Sequence, residues 1–201
     1  MNLFNYKNNI NNIEDINHVN SFYNEHVEKL HKLYYDDNNK AMNFYTGDVY
    51  HKLFYEVAKK ANPDLVLKHN DYFVIPNENG KYKLTNIQVD WHCYLNNKLV
   101  FICECKTFLS RGHLSVAVND FRLIRRIYPN IPAIIFSGQK SLTNDSLFFY
   151  KEECDFEYFF VNENKKRSQR NPLFKVHNML DFYEIERVMR HIRSLTQSLD
   201  P

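Results

Sequence analysis

Residues 99–106 read Leu99-Val100-Phe101-Ile102-Cys103-Glu104-Cys105-Lys106, an apolar run that ends in two opposite charges. Side chains two apart on a strand share a face, so Glu104 and Lys106 emerge together while Phe101, Cys103 and Cys105 take the other face. Charge at the end of a buried strand is costly unless it is paired or meets an ion. A second acid, Asp90, lies fourteen residues before Glu104, and Asn96-Asn97-Lys98 between them forms a tight connection. This spacing predicts an antiparallel hairpin centred near residue 97, with Asp90 facing residue 104. Directly opposed side chains in such a pair are about 4.5–5.5 Å apart at Cβ. Two carboxylates that close repel unless a cation lies between them.

Mg²⁺ suits that position, because it is hard, prefers oxygen, and is usually held by one or two carboxylates with waters and substrate phosphate. Lys106, on the same face, can orient or deprotonate an attacking water, or offset charge on a pentavalent phosphate. These are the parts of metal-assisted phosphodiester hydrolysis. An acid-x-Lys tripeptide alone says little, since Glu163-Asn164-Lys165 repeats it in a polar, basic run with no apolar strand beneath. The Glu104 copy has the strand, the upstream acid, and a helix and buried strand downstream. Its plain alternative is a surface Glu–Lys pair on an edge strand.

Outward from this stretch, helical spacing covers about residues 13–35, through Ile16, Val19, Phe22, Tyr23, Val27, Leu30 and Leu33. Residues 1–12 are Asn-rich and expected to fray, and Asp37 to Met42 reads as a polar connection. A second helix is expected after Thr46-Gly47, stopping before Asn62-Pro63. Tyr72 to Ile75 and Tyr82 to Leu95 read as strands separated by a turn at Asn77-Glu78-Asn79-Gly80. After Lys106, a loop from Thr107 to Gly112 leads into a helix striped by Leu114, Ala117, Val118, Phe121, Ile124 and Tyr128, ended by Pro129. Pro132 to Phe136 is continuously apolar, as in a strand buried on both faces. A short helix over 142–150, a strand from Phe156 to Val161 and an amphipathic helix over 179–196 complete a mixed α/β order.

The bulk properties limit the class. A chain of 201 residues, 44% hydrophobic and 15% aromatic, is most simply one domain spanning 1–201 with an ample core. No apolar run reaches the roughly 18 residues of a membrane helix, and the N-terminus lacks a signal-peptide layout, so the expected location is cytoplasmic with no membrane partner. Cys93, Cys103, Cys105 and Cys154 lack both a disulfide framework and a C-x-x-C zinc spacing, and read as buried thiols. The nine histidines include no His-x-x-x-His pair, since His26 and His31 are five apart.

At Asp90, Glu104 and Lys106 the sequence resembles the PD-(D/E)XK nuclease superfamily, these residues matching its first acid, second acid and lysine. More narrowly, Glu104-Cys105-Lys106-Thr107-Phe108-Leu109 is similar to the Glu-Cys-Lys-Thr-aromatic-Leu segment of some type II restriction endonucleases. Val89 stands where the motif's name has proline. The likeness covers about residues 47–138. It implies a restriction-endonuclease-like α/β fold, a mixed sheet flanked by helices, and a Mg²⁺-dependent DNA endonuclease in which Mn²⁺ can substitute. The catalytic residues would be Asp90, Glu104 and Lys106, with Asp90 and Glu104 on the metal, and the substrate double-stranded DNA. Reading a palindrome would require a homodimer. Some members add a Glu from the helix before the sheet, and Glu56 is the candidate here; its alternative is a surface acid.

The net charge of +2 does not announce a nucleic-acid binder, but its distribution is suggestive. Arg122, Arg125 and Arg126 cluster in one helix, and Lys165, Lys166 and Arg167 with Arg170 make a basic loop; either is a phosphate contact or solvated surface. Arg111 and Gln139 follow strands, where loops carry binding residues. His92, two residues from Asp90, and His113 could touch phosphate or serve as ordinary partners. Alternatives to a restriction enzyme are a structure-specific repair, recombination or mobile-element nuclease, and a non-catalytic DNA-binding module.

Overall fold

The computed structural model of the chain describes residues 10–35, 39–76, 84–162 and 180–197. In chain order the elements are α1 (Ile10–Tyr35), α2 (Asn39–Ala61), β1 (Val66–His69), β2 (Tyr72–Pro76), β3 (Leu84–Gln88) and β4 (Trp91–Leu95). There follow β5 (Lys98–Leu109), α3 (Arg111–Ile124), β6 (Ala133–Lys140), α4 (Asn144–Glu153), β7 (Glu157–Phe160) and α5 (Phe182–Gln197). Side chains near their starts cap three of the helices. The Ser110 and Thr143 hydroxyls accept N–H bonds at the starts of α3 and α4, and the Asp181 carboxylate accepts from Tyr183 and Glu184 at the start of α5.

The main sheet is mixed, in the order β1-β4-β5-β6-β7, and β2 and β3 form a separate antiparallel pair. β1, β4 and β5 run antiparallel; β5, β6 and β7 run parallel, with α3 and α4 as the crossovers. Phe101, Cys103, Cys105, Ile134 and Phe136 pack on one side with α2, α5 and Val19 and Tyr23 of α1. Ile102, Ala133 and Ile135 pack on the other with α3, Leu147 of α4, and Phe73 and Ile87 of the β2–β3 arm. The expected class, a mixed α/β sheet flanked by helices, is the observed one.

Several boundaries differ from the sequence expectation. α1 already begins at Ile10, inside the stretch expected to fray; residues 1–9 lie outside the described residues, as does the Asn77–Gly80 turn. α2 begins at Asn39, so part of the expected polar connection is helix. Tyr82 to Leu95 is not one strand: Val89 and Asp90 form a corner where the chain leaves the β2–β3 arm and enters the main sheet. β5 and β6 run on to Leu109 and Lys140, because the parallel ladder continues through Phe108↔Gln139 after the apolar runs end. α3 stops at Ile124, before Pro129. Its last turn tightens, with Arg126 N–H bonded to Leu123 O and Ile127 N–H to Ile124 O, leaving Arg125 and Arg126 beyond the helix.

The β4–β5 hairpin sets the position of the site. Asn96 and Asn97 have φ of 50° and 62°, the left-handed pair that a two-residue hairpin turn requires, and Leu95 pairs with Lys98. Continued without interruption, that register would put residue 90 opposite Cys103. Between Cys93↔Phe101 and Tyr94↔Leu99 the ladder instead takes up one extra residue on β5, Val100. Val100 and Phe101 consequently join the same core cluster although they are adjacent in sequence. Beyond the bulge Trp91 pairs with Cys103, and the next step brings Asp90 to Glu104.

Candidate active site

Asp90, Glu104 and Lys106 meet at the edge of β5 where β4 gives out. The Asp90 N–H donates to Glu104 Oε2 at 3.3 Å, and the Cys105 N–H donates to Asp90 Oδ2 at 2.7 Å. Lys106 Nζ donates to Glu104 Oε1 at 2.5 Å and lies 3.6 Å from Asp90 Oδ2. Backbone groups of the corner before β4 and of β5 therefore anchor both carboxylates, and one ammonium spans them. The cluster is partly sheltered, with the Asp90 and Glu104 side chains 16% and 12% exposed and that of Lys106 26%.

Burial pushes the Glu104 carboxyl above its usual range, the Asp90 charge adds to this, and Lys106 only partly offsets it. For Lys106 burial opposes the charge, but Glu104 and Asp90 outweigh it and hold the ammonium above the ordinary lysine range. The two acids thus carry more negative charge than one lysine relieves. The carboxylate oxygens of Asp90 and Glu104 are hard donors that could hold an oxygen-preferring divalent cation.

The remaining candidates scatter. Glu56 does not join the trio; its carboxylate turns to His18 of α1 at 3.2 Å. Arg125 is a structural tie: Nη1 contacts Cys154 Sγ at 3.0 Å, Nε and Nη2 donate to Ile131 O at 3.2 and 3.1 Å, and Nη2 donates to Asp155 O at 2.5 Å. Arg122 faces Glu153 at 3.4 Å, while Arg111, the first residue of α3, and Arg126 are exposed. His113 stays beside Phe108, with Nδ1 3.1 Å from Phe108 O. Gln139 lies within β6, not in a loop; it is buried and on the Lys106 face of the sheet, next to Phe108. His92 is buried and stacks on Phe73 at 4.1 Å, turned toward the β2–β3 arm, and its Nε2 has no hydrogen-bond partner among the described residues. Lys165, Lys166, Arg167 and Arg170 lie outside the described residues.

Two residues beside the trio were not anticipated. His51 of α2 approaches from the opposite side of the sheet edge, its Nδ1 2.9 Å from His69 Nε2. Burial lowers its pKa, against the pull of the nearby Asp90. Asp120 of α3 lies within reach of the Lys106 charge, and burial pushes its carboxyl up. The only sequence signal for either is a polar residue bordering a helix's apolar stripe, which does not say what the stripe docks against.

No protein-family profile matches the chain, and no curated protein matches it. Among solved structures it is similar to the native BbvCI A2B2 tetramer at low resolution, with a TM-score of 0.39 and 11% identity over 94% of this chain and 91% of that one. Among the described residues no helix is long and apolar enough to cross a membrane.

Proposed function

We propose that this protein is a Mg²⁺-dependent DNA endonuclease of the type II restriction class, cutting double-stranded DNA as a two-fold dimer. The supporting observation is the Asp90–Glu104–Lys106 cluster: two backbone-anchored carboxylates spanned by one ammonium at 2.5 and 3.6 Å. Asp90 and Glu104 would hold the ion. Mg²⁺, when bound, supplies Lewis-acid polarisation of a phosphoryl oxygen and a more acidic water. Glu104 orients the Lys106 ammonium, which offers positive charge where negative charge develops on the phosphoryl oxygens. The strand backbones hold these groups before substrate arrives, so little reorganisation accompanies the reaction. Arg111 and Arg126, both exposed, and Arg122, exposed beside Glu153, are available for phosphate contacts, whereas Arg125 is tied to backbone carbonyls.

The test is digestion of a defined supercoiled plasmid with Mg²⁺ or Mn²⁺, followed by end-sequencing. Discrete fragments from the wild type, lost in Asp90→Ala and Lys106→Ala while DNA binding persists, are the expected result. Full cleavage by either variant rejects the assignment, and cutting confined to flaps or junctions replaces restriction with structure-specific cleavage.

A further inference from the structure

The edge of β5 presents two different donor sets, and Asp90 belongs to both. On one side are only oxygens, those of Asp90 and Glu104. On the other, His51, Asp90 and Cys105 offer a ring nitrogen, a carboxylate oxygen and a thiol sulfur, all within 4.8 Å of one another. We propose that His51, Asp90 and Cys105 form a second cation site, selective for a thiophilic divalent transition metal of the Zn²⁺ kind.

The donor chemistry makes the selection. Imidazole and thiolate suit zinc and cobalt, whereas Mg²⁺ takes oxygen. Three protein ligands with a fourth position left for water is a common arrangement for zinc. From Zn–S near 2.3 Å and Zn–N or Zn–O near 2.0 Å, the tetrahedral ligand atoms of this set stand about 3.3–3.5 Å apart, so the set has to contract by no more than about 1.5 Å. Neutral imidazole, carboxylate and thiolate together carry two negative charges, which a divalent ion cancels in a sheltered slot.

The surroundings resemble the outer shell of a metal site. His51 Nδ1 is engaged by His69 Nε2 at 2.9 Å, which fixes the ring and directs Nε2 to be the ligating nitrogen. Asp90 is itself held by the Cys105 N–H at 2.7 Å. Cys105 is buried beside Asp90, and its thiol would pass its proton to solvent as the metal binds. The site is a property of binding and does not depend on whether the chain cuts DNA.

Co²⁺ is the probe, added to the full chain under reducing conditions and followed by absorption. One equivalent should produce a near-ultraviolet sulfur-to-cobalt charge-transfer band. Co²⁺ on the acidic pair alone gives none, which separates the two sites. Cys105→Ala should abolish the band, His51→Ala should weaken Co²⁺ binding at least tenfold, and Cys154→Ala and Glu104→Gln should keep it. His51 is the safer variant, being only partly buried on α2. Absence of the band in the wild type overturns the proposal, as does a band that survives Cys105→Ala or undiminished affinity in a folded His51→Ala.

Discussion

The Asp90 N–H donates to the Glu104 carboxylate across the β4–β5 pair, so the second acid holds the main chain of the first. Removing charge from Glu104 and removing its hydrogen-bond acceptor are therefore separable. Glu104→Gln keeps an acceptor and should fold with Asp90 in place, whereas Glu104→Ala loses both. Mg²⁺ at a hundred times its Kd should stabilise the wild type by about 2.7 kcal/mol and leave Glu104→Gln nearly unmoved. Thermal unfolding with and without Mg²⁺ checks this, and an equal Mg²⁺ shift in Glu104→Gln would remove Glu104 from the ion.

Gly138 lies against the ring of Tyr50, and a Cβ there would fall within 2.4 Å of Tyr50 ring and hydroxyl atoms. Tyr50 cannot easily yield, because its hydroxyl donates to Asn162 Oδ1 at 2.7 Å and Asn162 Nδ2 donates to the Tyr23 hydroxyl at 2.8 Å. Gly138→Ala should cost at least about 1–3 kcal/mol in urea unfolding. The double variant with Tyr50→Ala should show a clearly smaller added cost for the methyl group.

Arg125→Ala should destabilise by about 1–2 kcal/mol, since the sheltered Ile131 carbonyl loses a charged donor while the exposed Asp155 carbonyl can turn to water. The salt dependence of DNA binding should not change in that variant. Arg126→Ala, at an exposed position, should leave stability alone; loss of a phosphate contact there would reduce the salt slope by about one. Unfolding curves and binding isotherms at several salt concentrations separate the two roles.

Burial pushes the Tyr23 hydroxyl up to about 12, although its bonds with Asn162 and Tyr50 pull the other way. A folded value above the unfolded one, near 10, means stability complete below pH 10 and lost as pH rises toward 12. The loss from this group should be about 2–3 kcal/mol. Urea unfolding from pH 9 to 12 should show a shallower decline in Tyr23→Phe than in the wild type.

Asn97, at φ 62°, is in a conformation that β-branched residues resist. Asn97→Val should cost about 1–2 kcal/mol, and Asn97→Gly should cost nothing or stabilise slightly. Cleavage by the glycine variant should match the wild type if the hairpin register is kept.

The trio was legible because its geometry is local. Glu104 and Lys106 share a face by strand periodicity, and Asp90 reaches them through a hairpin. Counting about a centre at residue 97 reached residue 104, yet the turn closes between Leu95 and Lys98, and only the Val100 bulge restores the match. Glu56 shows where such reading stops. It stands five residues from His51, about 140° around α2, so a helix phase that brings His51 to Asp90 turns Glu56 toward α1. That phase is set by how α2 docks on the sheet, a long-range matter that no local pattern encodes. Arg125 shows a related limit: Ile131 O, which it binds, is only six residues away, but Asp155 O comes from the distant turn between α4 and β7.

The Val100 bulge carries a rule about permitted change. Strand faces alternate, so lengthening or shortening the hairpin by a single residue on one arm turns Asp90's partner from an acid into a buried thiol. An odd change at the turn survives only if the bulge is absorbed or duplicated in the same step. Chains descended from this one should therefore vary their turn and bulge together, and the pair can be followed as one inherited unit.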